Sequence, residues 1–199
     1  MAPRPGLSKA AVLDAAAKLA NERGWDQLSI AELAARLRVK PPSLYNHLDS
    51  IAGLKRELAI VALRELGAAM SKAAVGKSRE DAIRSIADAY RAFVKKHPGL
   101  HQAIVRAADP ADKALSDAGD EVVNVCLAVL RGYGLNRRSA LHALRGLRSA
   151  IHGFATLENA GGFGISLNVD ESFSWLIGCF VQGLNSAARP SRDRAARAS

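Results

Sequence analysis

Cysteine and aromatic residues are both scarce in this chain. Only two of its 199 residues are cysteines, Cys126 and Cys179, and only 5% are aromatic. There is no C-x-x-C pair and no Cys/His spacing of the kind that holds a metal ion. Both cysteines lie in apolar helical contexts, where a single cysteine usually serves as a small hydrophobic residue of the core. We therefore expect no metal and no other cofactor.

Long hydrophobic runs are also missing. No apolar stretch approaches the length needed to span a bilayer. Residues 1–6 contain two prolines and a glycine and lead directly into an amphipathic helix, which is not the pattern of a secretory signal peptide. The expected location is the cytoplasm. A sustained apolar–polar alternation, the signature of a half-buried strand, is absent as well.

The residues that are present favour helices. Because aromatic residues are few, most of the 49% of hydrophobic residues are Ala, Leu, Val and Ile. Ala and Leu form helices readily, so the predicted fold class is all-α, with three short helices between Ser8 and Leu48 and a bundle of five or six helices behind them. The later helices are predicted from Ile51 to about Ala74, over 79–96, about 100–107 and 111–131, from the cap Asn136 to about Asn159, and from the cap Asp170 to about Ala188.

Positive charge exceeds negative charge. The chain has 28 Lys and Arg against 19 Asp and Glu, which gives a formal net charge of +9. Residues 1–56 hold nine cations against five anions and residues 189–199 hold four Arg against Asp193, so these two segments carry +7 of the +9. Such a balance favours a polyanionic partner, either nucleic acid or an acidic membrane surface. The membrane alternative is disfavoured because no predicted helix combines a strongly basic face with a bulky aromatic one.

The most informative segment is residues 29–48, SIAELAARLRVKPPSLYNHL. Ser29 and Glu32 have the capping-box spacing S-x-x-E at the start of a short helix. Residues 38–40 form a tight connection, after which two prolines open a third helix that is predicted to continue to Leu48. Two short helices joined by such a turn are typical of the helix-turn-helix.

The third helix carries side chains suited to DNA. A recognition helix enters the major groove with its first residues at the base edges, so these side chains are short, slim or polar. The residues expected at base edges are Pro41, Pro42, Ser43 and Asn46, and those expected at phosphates are Ser29, Lys40, Tyr45 and His47. The alternative is a three-helix bundle that only packs or binds protein. Such a bundle has no need to expose these polar residues together.

The run S-I-A-E-L-A followed by R-L-R-V-K-P-P-S-L-Y-N-H-L-D-S-I-A-G-L resembles the DNA-binding domain of the TetR/AcrR family, over about residues 8–58. The family's third-helix pattern (a small residue, Leu, Tyr, any residue, His) is matched by residues 43–47. Residues 148–158, R-S-A-I-H-G-F-A-T-L-E, are similar to the C-terminal domain of the WHG-type subgroup. Ile51 departs from the family, since many members have a phosphate-binding Lys there. Lys55 or Arg56, one turn further on, is expected to replace it.

The resemblance implies a domain organisation and a function. Residues 1–53 are expected to form the helix-turn-helix DNA-binding domain, with 1–6 as a flexible arm. Residues 54–188 are expected to form the helical ligand-binding and dimerisation domain, and 189–199 a disordered basic tail. The implied function is that of a sequence-specific transcriptional regulator, a ligand-responsive repressor that binds a palindromic operator in double-stranded DNA as a homodimer and responds to a small apolar effector.

Two other classes of function remain as alternatives. One alternative is a DNA-binding activator or architectural protein without a small-molecule effector, which the sequence barely separates from a repressor. The other is an enzyme. No nucleophile elbow, phosphate-binding loop or cluster of paired carboxylates is present, so no enzymatic activity is expected.

Two further sets of residues are candidates in the C-terminal domain. Aromatic and histidine side chains are candidates for an effector pocket, although each alone also fits an ordinary core position: Tyr90, Phe93, His97, His101, His142, Phe154 and Trp175. A stripe of small residues and an apolar face of the last helix are candidates for the dimer interface, with packing inside the monomer as the alternative: Ala143, Gly146, Ala150, Gly153, Phe173, Ile177, Phe180 and Leu184.

Overall fold

The structure is a computed structural model that describes residues 7–106, 109 and 111–188. The fold is all-α, as predicted: the described residues form nine α-helices and one 3-10 turn, and no strand occurs among them. The predicted arm 1–6 and basic tail 189–199 lie outside the described residues. The helices are α1 (Lys9–Arg23), α2 (Ile30–Leu37), α3 (Pro41–Leu44), α4 (Ile51–Ala74), α5 (Arg79–Lys96), α6 (Pro98–Arg106), α7 (Lys113–Arg131), α8 (Arg137–Asn159) and α9 (Val169–Ala188), and the 3-10 turn is Trp25–Gln27.

The first helix begins and ends where its sequence indicates. The hydroxyl of Ser8 accepts a hydrogen bond from the backbone N–H of Ala11 at 3.2 Å, which satisfies one of the free N–H groups at the start of α1. Gly24 ends the helix with a φ of 94°, a conformation that residues with a Cβ rarely adopt. Three of the five buried residues of α1 are alanines, so α2 and α6 can pack closely against it.

The caps of the last two helices were predicted with mixed success. The side chain of Asn136 accepts from the N–H of Ser139 at 2.8 Å, so its predicted capping of α8 is confirmed. The prediction that Asp170 caps α9 is wrong. Oδ1 of Asn168 accepts from the N–H groups of Asp170 (2.8 Å) and Glu171 (3.2 Å), and Asp170 lies inside the first turn. Asn and Asp cap equally well, so the spacing alone did not distinguish them.

The chain divides into two compact units. Of the described residues, unit 1 contains those up to Leu66 and those between Phe93 and Glu121, and unit 2 contains Gly67–Ala92 and those from Val122 onwards. The boundaries fall inside α4, α5 and α7. Unit 1 therefore includes α6 and extends beyond the predicted helix-turn-helix domain of residues 1–53, because α6 packs on α1.

In unit 2, α9 packs against α8 and buries one of its faces. Phe173, Ile177 and Leu184 are at most 5% exposed and belong to the core of the monomer. Their predicted place in a dimer interface needs correction, because their side chains are already covered by the chain itself. The opposite face of α9 carries Trp175, which is 73% exposed, and Cys179. Interpreting Cys179 as a core residue was therefore wrong.

Cys126 of α7, by contrast, is buried as predicted, and burial raises the pKa of its thiol to about 11. A thiol in this environment stays protonated, which is the state expected of a small hydrophobic residue of the core.

Candidate nucleic-acid interface

The turn between α2 and α3 is built from local hydrogen bonds. The hydroxyl of Ser29 accepts from the N–H of Glu32 at 3.3 Å, which is one half of the predicted capping box. At the other end of α2, Arg38 adopts the left-handed conformation (φ 56°, ψ 43°), and its N–H donates to Ala35 O at 3.2 Å. The N–H of Val39 donates to Ala34 O at 3.0 Å, which completes the arrangement that usually has glycine at the left-handed position.

The third helix is shorter than predicted. It ends at Leu44 and is followed by the turn residues 45–47, whereas the sequence predicted a helix through Leu48. Two prolines at its start remove two N–H donors, and most of its remaining bonds run from residue i to i−3, including His47 N–H to Leu44 O at 2.9 Å. A segment with so few α-helical bonds does not extend far.

The exposed tip of α3 brings most of the predicted DNA-contacting residues together. Leu44 is completely buried and anchors the segment, and Leu48 is 9% exposed. Around this anchor the side chains of six predicted residues are exposed: Lys40, Pro41, Pro42, Ser43, Tyr45 (55% exposed) and Asn46. His47 and Ser29 are half-buried. The resulting surface projects short polar and slim side chains from a fixed base, which is what direct contact with base edges requires.

The cations expected to replace the family's phosphate-binding Lys have different surroundings. Lys55 is half-buried, and its Nζ lies 5.3 Å from the centre of the Trp25 ring. Arg56 forms a two-point ion pair with Asp112, with Nη2 at 2.7 Å from Oδ1, and this pairing holds the pKa of Asp112 below its usual range. A phosphate would compete with Asp112 for Arg56, so Lys55 stays the better candidate.

Sequence reasoning missed one exposed cation at this surface. Arg38 stands in the turn itself, two residues before Lys40, and its side chain is exposed. The signal was present in the sequence, because an Arg occupies the place after a short helix where glycine is usual. We add Arg38 to the candidate phosphate-contacting residues.

A cleft of about 380 Å³ lies behind the tip, between α1, residues 45–49 and the start of α4. Its walls include charged and polar side chains from all three segments, among them Lys9, Tyr45, Arg56 and Glu57. Lys9 Nζ lies 3.1 Å from Glu57 Oε1, so opposite charges meet across the cleft. This arrangement ties α1 to α4 beside the tip of α3.

The predicted effector-pocket residues fall into both units. In unit 1, Phe93 and His101 are buried, and His97 is half-buried with its ring centre 5.1 Å from that of Phe93. In unit 2, Tyr90 is buried and Phe154 is half-buried, with its ring centre 5.0 Å from that of Phe173. The remaining two, His142 and Trp175, are exposed on the surface of unit 2.

One polar pair stands out in the core of unit 2. The hydroxyl of Tyr90 and Nδ1 of His152 lie 3.0 Å apart. Burial raises the pKa of Tyr90 to about 12 and lowers the pKa of His152, so both groups are neutral near pH 7. A neutral hydrogen-bonding pair can orient a small molecule without holding a charge.

The small residues of α8 also differ in their surroundings. A Cβ on Gly146 would lie 3.3 Å from Cε2 of Phe180, so this glycine makes room for α9 in the same chain. A Cβ on Gly153 would meet nothing within 4 Å. Ala143 and Ala150 are half-buried, as is Phe180. Of the two glycines predicted at the dimer interface, Gly153 is therefore the one whose small size the monomer does not explain.

Among the described residues, no group of three or more His, Cys, Asp or Glu side chains is placed to hold a metal ion. No helix in that part of the chain has both the length and the apolar character needed to cross a membrane.

The all-α fold and the exposed tip of α3 define a helix-turn-helix DNA-binding protein. Residues 12–58 match the family described as bacterial regulatory proteins, tetR family, and residues 83–180 match the family described as tetracyclin repressor-like, C-terminal domain. The chain belongs to the TetR family and is a DNA-binding transcriptional regulator. The WHG-type subgroup stays a prediction.

One relative and two solved structures illustrate what this chain is similar to. The chain is 34% identical over 186 residues to the uncharacterized HTH-type transcriptional regulator YobS of Bacillus subtilis (strain 168), covering 92% of this chain and 96% of that one. Its fold is similar to that of a protein of unknown function from Rhodococcus sp. RHA1, with a TM-score of 0.80 at 22% identity over 93% of this chain and 99% of that one. It is also similar to a variant of TetR from Acinetobacter baumannii AYE in complex with minocycline, with a TM-score of 0.71 at 22% identity over 93% and 100%.

Proposed function

We propose that this regulator is a repressor that binds a palindromic operator as a homodimer in the cytoplasm, releases it in response to a small apolar effector, and has no catalytic activity. The observation that carries the proposal is the exposed tip of α3, where the fully buried Leu44 fixes the backbone while Ser43 and Asn46 stay exposed. Arg38 and Lys40 add positive charge beside these two residues, which suits a phosphate backbone.

A dimer is part of the proposal because α3 is short. Four helical residues offer few base contacts, and a two-fold dimer doubles them while reading two half-sites about 34 Å apart or a multiple of that distance. The outer face of α9, with Trp175 and Cys179, and the open position at Gly153 of α8 are the surfaces that we assign to the second copy. A large exposed Trp is typical of the centre of an interface.

An effector site in unit 2 is proposed around Tyr90 and His152. Tyr90 is buried and His152 is half-buried, and their neutral hydrogen-bonding groups suit a small, mostly apolar molecule with one or two polar atoms. Such a molecule shifts the equilibrium between two conformations by its difference in affinity for them. The long helix α4 contains residues of both units, so we assign it the role of transmitting the change.

The test is a selection of bound sequences from random DNA duplexes by the full-length protein at moderate salt. Recovery of a palindrome whose half-sites are about one helical turn apart, or a multiple of it, is the expected result. Recovery of no preferred sequence would overturn the proposed operator binding. Asymmetric single sites would contradict the dimer and leave the family assignment untouched.

Two variants sharpen the selection. Asn46→Ala removes a side chain placed for base contact, so the preferred base at one position of each half-site is expected to relax. Lys40→Ala removes a charge placed for phosphate contact and is expected to weaken binding about equally on all sequences. Identical effects of the two variants would contradict the division of roles at the tip of α3.

A further inference from the structure

A side chain of α1 caps α6 from outside. Oδ1 of Asn21 accepts hydrogen bonds from the N–H groups of Gly99 (3.0 Å) and Leu100 (3.2 Å), the second and third residues of α6. The first N–H groups of a helix have no partner within the helix. Asn21 supplies from another helix what an N-cap residue normally supplies from its own.

The backbones of the two helices also touch directly. A Cβ added to Gly99 would lie 2.2 Å from both the carbonyl carbon and the carbonyl oxygen of Ala20. No side chain fits there, and backbone atoms of a helix cannot move aside. Leu100 and Ala103, which follow on α6, are at most 2% exposed. The start of α6 therefore has one position on α1, set by Gly99 and held by Asn21.

His97 completes this arrangement. It directly precedes α6, and its Nδ1 lies 3.4 Å from Nδ2 of Asn21. Because Oδ1 of Asn21 accepts both backbone hydrogen bonds, the amide nitrogen Nδ2 faces His97 as a donor. Nδ1 must then be the acceptor, so the proton of the neutral ring is on Nε2. A second proton would occupy Nδ1 and turn this contact into two donors facing each other.

The groups around His97 shift its pKa in both directions. Burial lowers its pKa, Glu65 of α4 favours the protonated ring, and Lys96 of α5 disfavours it. The ring of Phe93 packs beside it, and the titratable group of α6 nearest to it in sequence is the buried His101. From α1, the contact is the neutral Asn21. The lowered pKa means that the neutral ring, which the geometry requires, prevails near neutral pH.

We propose that Asn21, His97 and Gly99 form a proton-sensitive joint, in which Asn21 is the positioning residue that holds α6 on α1 only while His97 is neutral. Since α1 packs on α2 and α2 packs on α3, the joint also supports the tip of α3. Acidification that protonates His97 removes the acceptor for Asn21, loosens the start of α6 and weakens DNA binding. The last consequence rests on the proposed operator binding, whereas the joint itself does not.

The experiment combines amide hydrogen exchange with an NMR titration of His97 in the full-length protein. After correction for intrinsic exchange, the protection of the Gly99 and Leu100 amides is expected to fall about 5- to 10-fold as His97 becomes protonated, the loss expected when a hydrogen bond is broken. Protection that does not change through the titration of His97 would overturn the proposal.

Asn21→Asp is the decisive variant. One carboxylate oxygen keeps the two backbone bonds and the other attracts a protonated ring, so His97 is expected to titrate at a higher pH than in the parent protein. Protection of Gly99 and Leu100 is expected to survive protonation in this variant. An unchanged titration of His97 would contradict the contact. A carboxylate at this position raises the pKa of His97 whatever the role of Asn21, so survival of the Gly99 and Leu100 protection is the readout that tests the joint.

The glycine contact has a matched control in the same unit. Gly99→Ala is expected to lower the protection of Leu100 at every pH, because the new methyl group displaces α6 from α1. Gly119→Ala, in the open part of α7, meets nothing within 4 Å and is expected to leave that protection unchanged. Equal effects of the two substitutions would overturn the role of Gly99.

The proposed function and the joint can fail separately. If the parent protein does not bind DNA at pH 8, that result counts against the proposed function. The hydrogen-exchange data would still decide whether the joint exists.

Discussion

Arg91 of α5 and Glu158 of α8 form a buried two-point ion pair inside unit 2. Nε and Nη2 of Arg91 each lie 2.6 Å from a carboxylate oxygen of Glu158, and the two side chains are only 10% and 13% exposed. The guanidinium also packs on the rings of Phe154 and Phe173, 5.5 and 4.8 Å from their centres. This pair therefore holds α5, the end of α8 and the start of α9 together.

Glu158→Ala is expected to lower the free energy of unfolding by about 3 kcal/mol, because it leaves a buried cation without its main partner. Asp170, 2.7 Å from Arg91, is 78% exposed and only partly compensates. Urea unfolding measures the effect. The control is Asp117→Ala, which breaks the exposed pair with Lys113 and is expected to cost at most about 0.5 kcal/mol. Equal shifts in the two variants would contradict the role given to the buried pair.

Local signals explain what the sequence could predict. The caps Ser8, Ser29 and Asn136 act within three residues of themselves, and the spacing of apolar residues repeats every turn. Both are properties of a short stretch of chain. The positions of most helices therefore followed from the sequence, and so did the exposure of most of the residues proposed to contact DNA.

Contacts between distant residues explain what it could not. Asn21 and Gly99 are 78 positions apart, and nothing in either segment marks them as partners. Phe173 and Trp175 on α9 are both large and apolar, yet one is buried and the other exposed. The apolar pattern alone could not tell the buried face of α9 from the exposed one. Burial of the cation Arg91 likewise depends on Glu158, 67 positions away.

The hydroxyl of Tyr45 is expected to contact a DNA phosphate. Tyr45→Phe should weaken binding to the selected operator about 5-fold, the loss expected for one hydrogen bond, and Tyr45→Ala should weaken it further. Neither change should alter the free energy of unfolding by more than about 0.5 kcal/mol, because the side chain is 55% exposed. Fluorescence anisotropy with labelled operator measures the affinity.

The neighbouring residue Leu44 provides the control for Tyr45. Leu44 is completely buried, so Leu44→Ala should lower the free energy of unfolding by about 2–5 kcal/mol. An unchanged operator affinity in Tyr45→Ala would remove Tyr45 from the interface.

Arg38 is expected to strengthen DNA binding and to lower the stability of the fold. Its left-handed backbone (φ 56°) costs a residue with a Cβ about 1 kcal/mol, which Arg38→Gly relieves, although part of the gain is lost to the greater freedom of glycine in the unfolded chain. Arg38→Gly should therefore raise the free energy of unfolding by about 0.5 kcal/mol while weakening operator binding. Arg38→Ala removes the same charge but keeps the strained backbone. It should weaken binding equally without any gain in stability, and a gain of equal size in both variants would contradict the argument from strain.

Trp175 and Val75 are two equally exposed apolar side chains, at 73% and 75%, but only Trp175 lies on the proposed dimer face of α9. In a two-fold dimer each substitution occurs twice, and burying one large apolar side chain is worth about 2–3 kcal/mol. Trp175→Glu is therefore expected to weaken dimerisation about 1000-fold or more in sedimentation equilibrium. Val75→Glu, in the turn after α4, should leave it unchanged. A Trp175→Glu protein that stays dimeric at nanomolar concentration would show that the second copy packs elsewhere, whereas equal weakening by both substitutions would point to added charge as the cause.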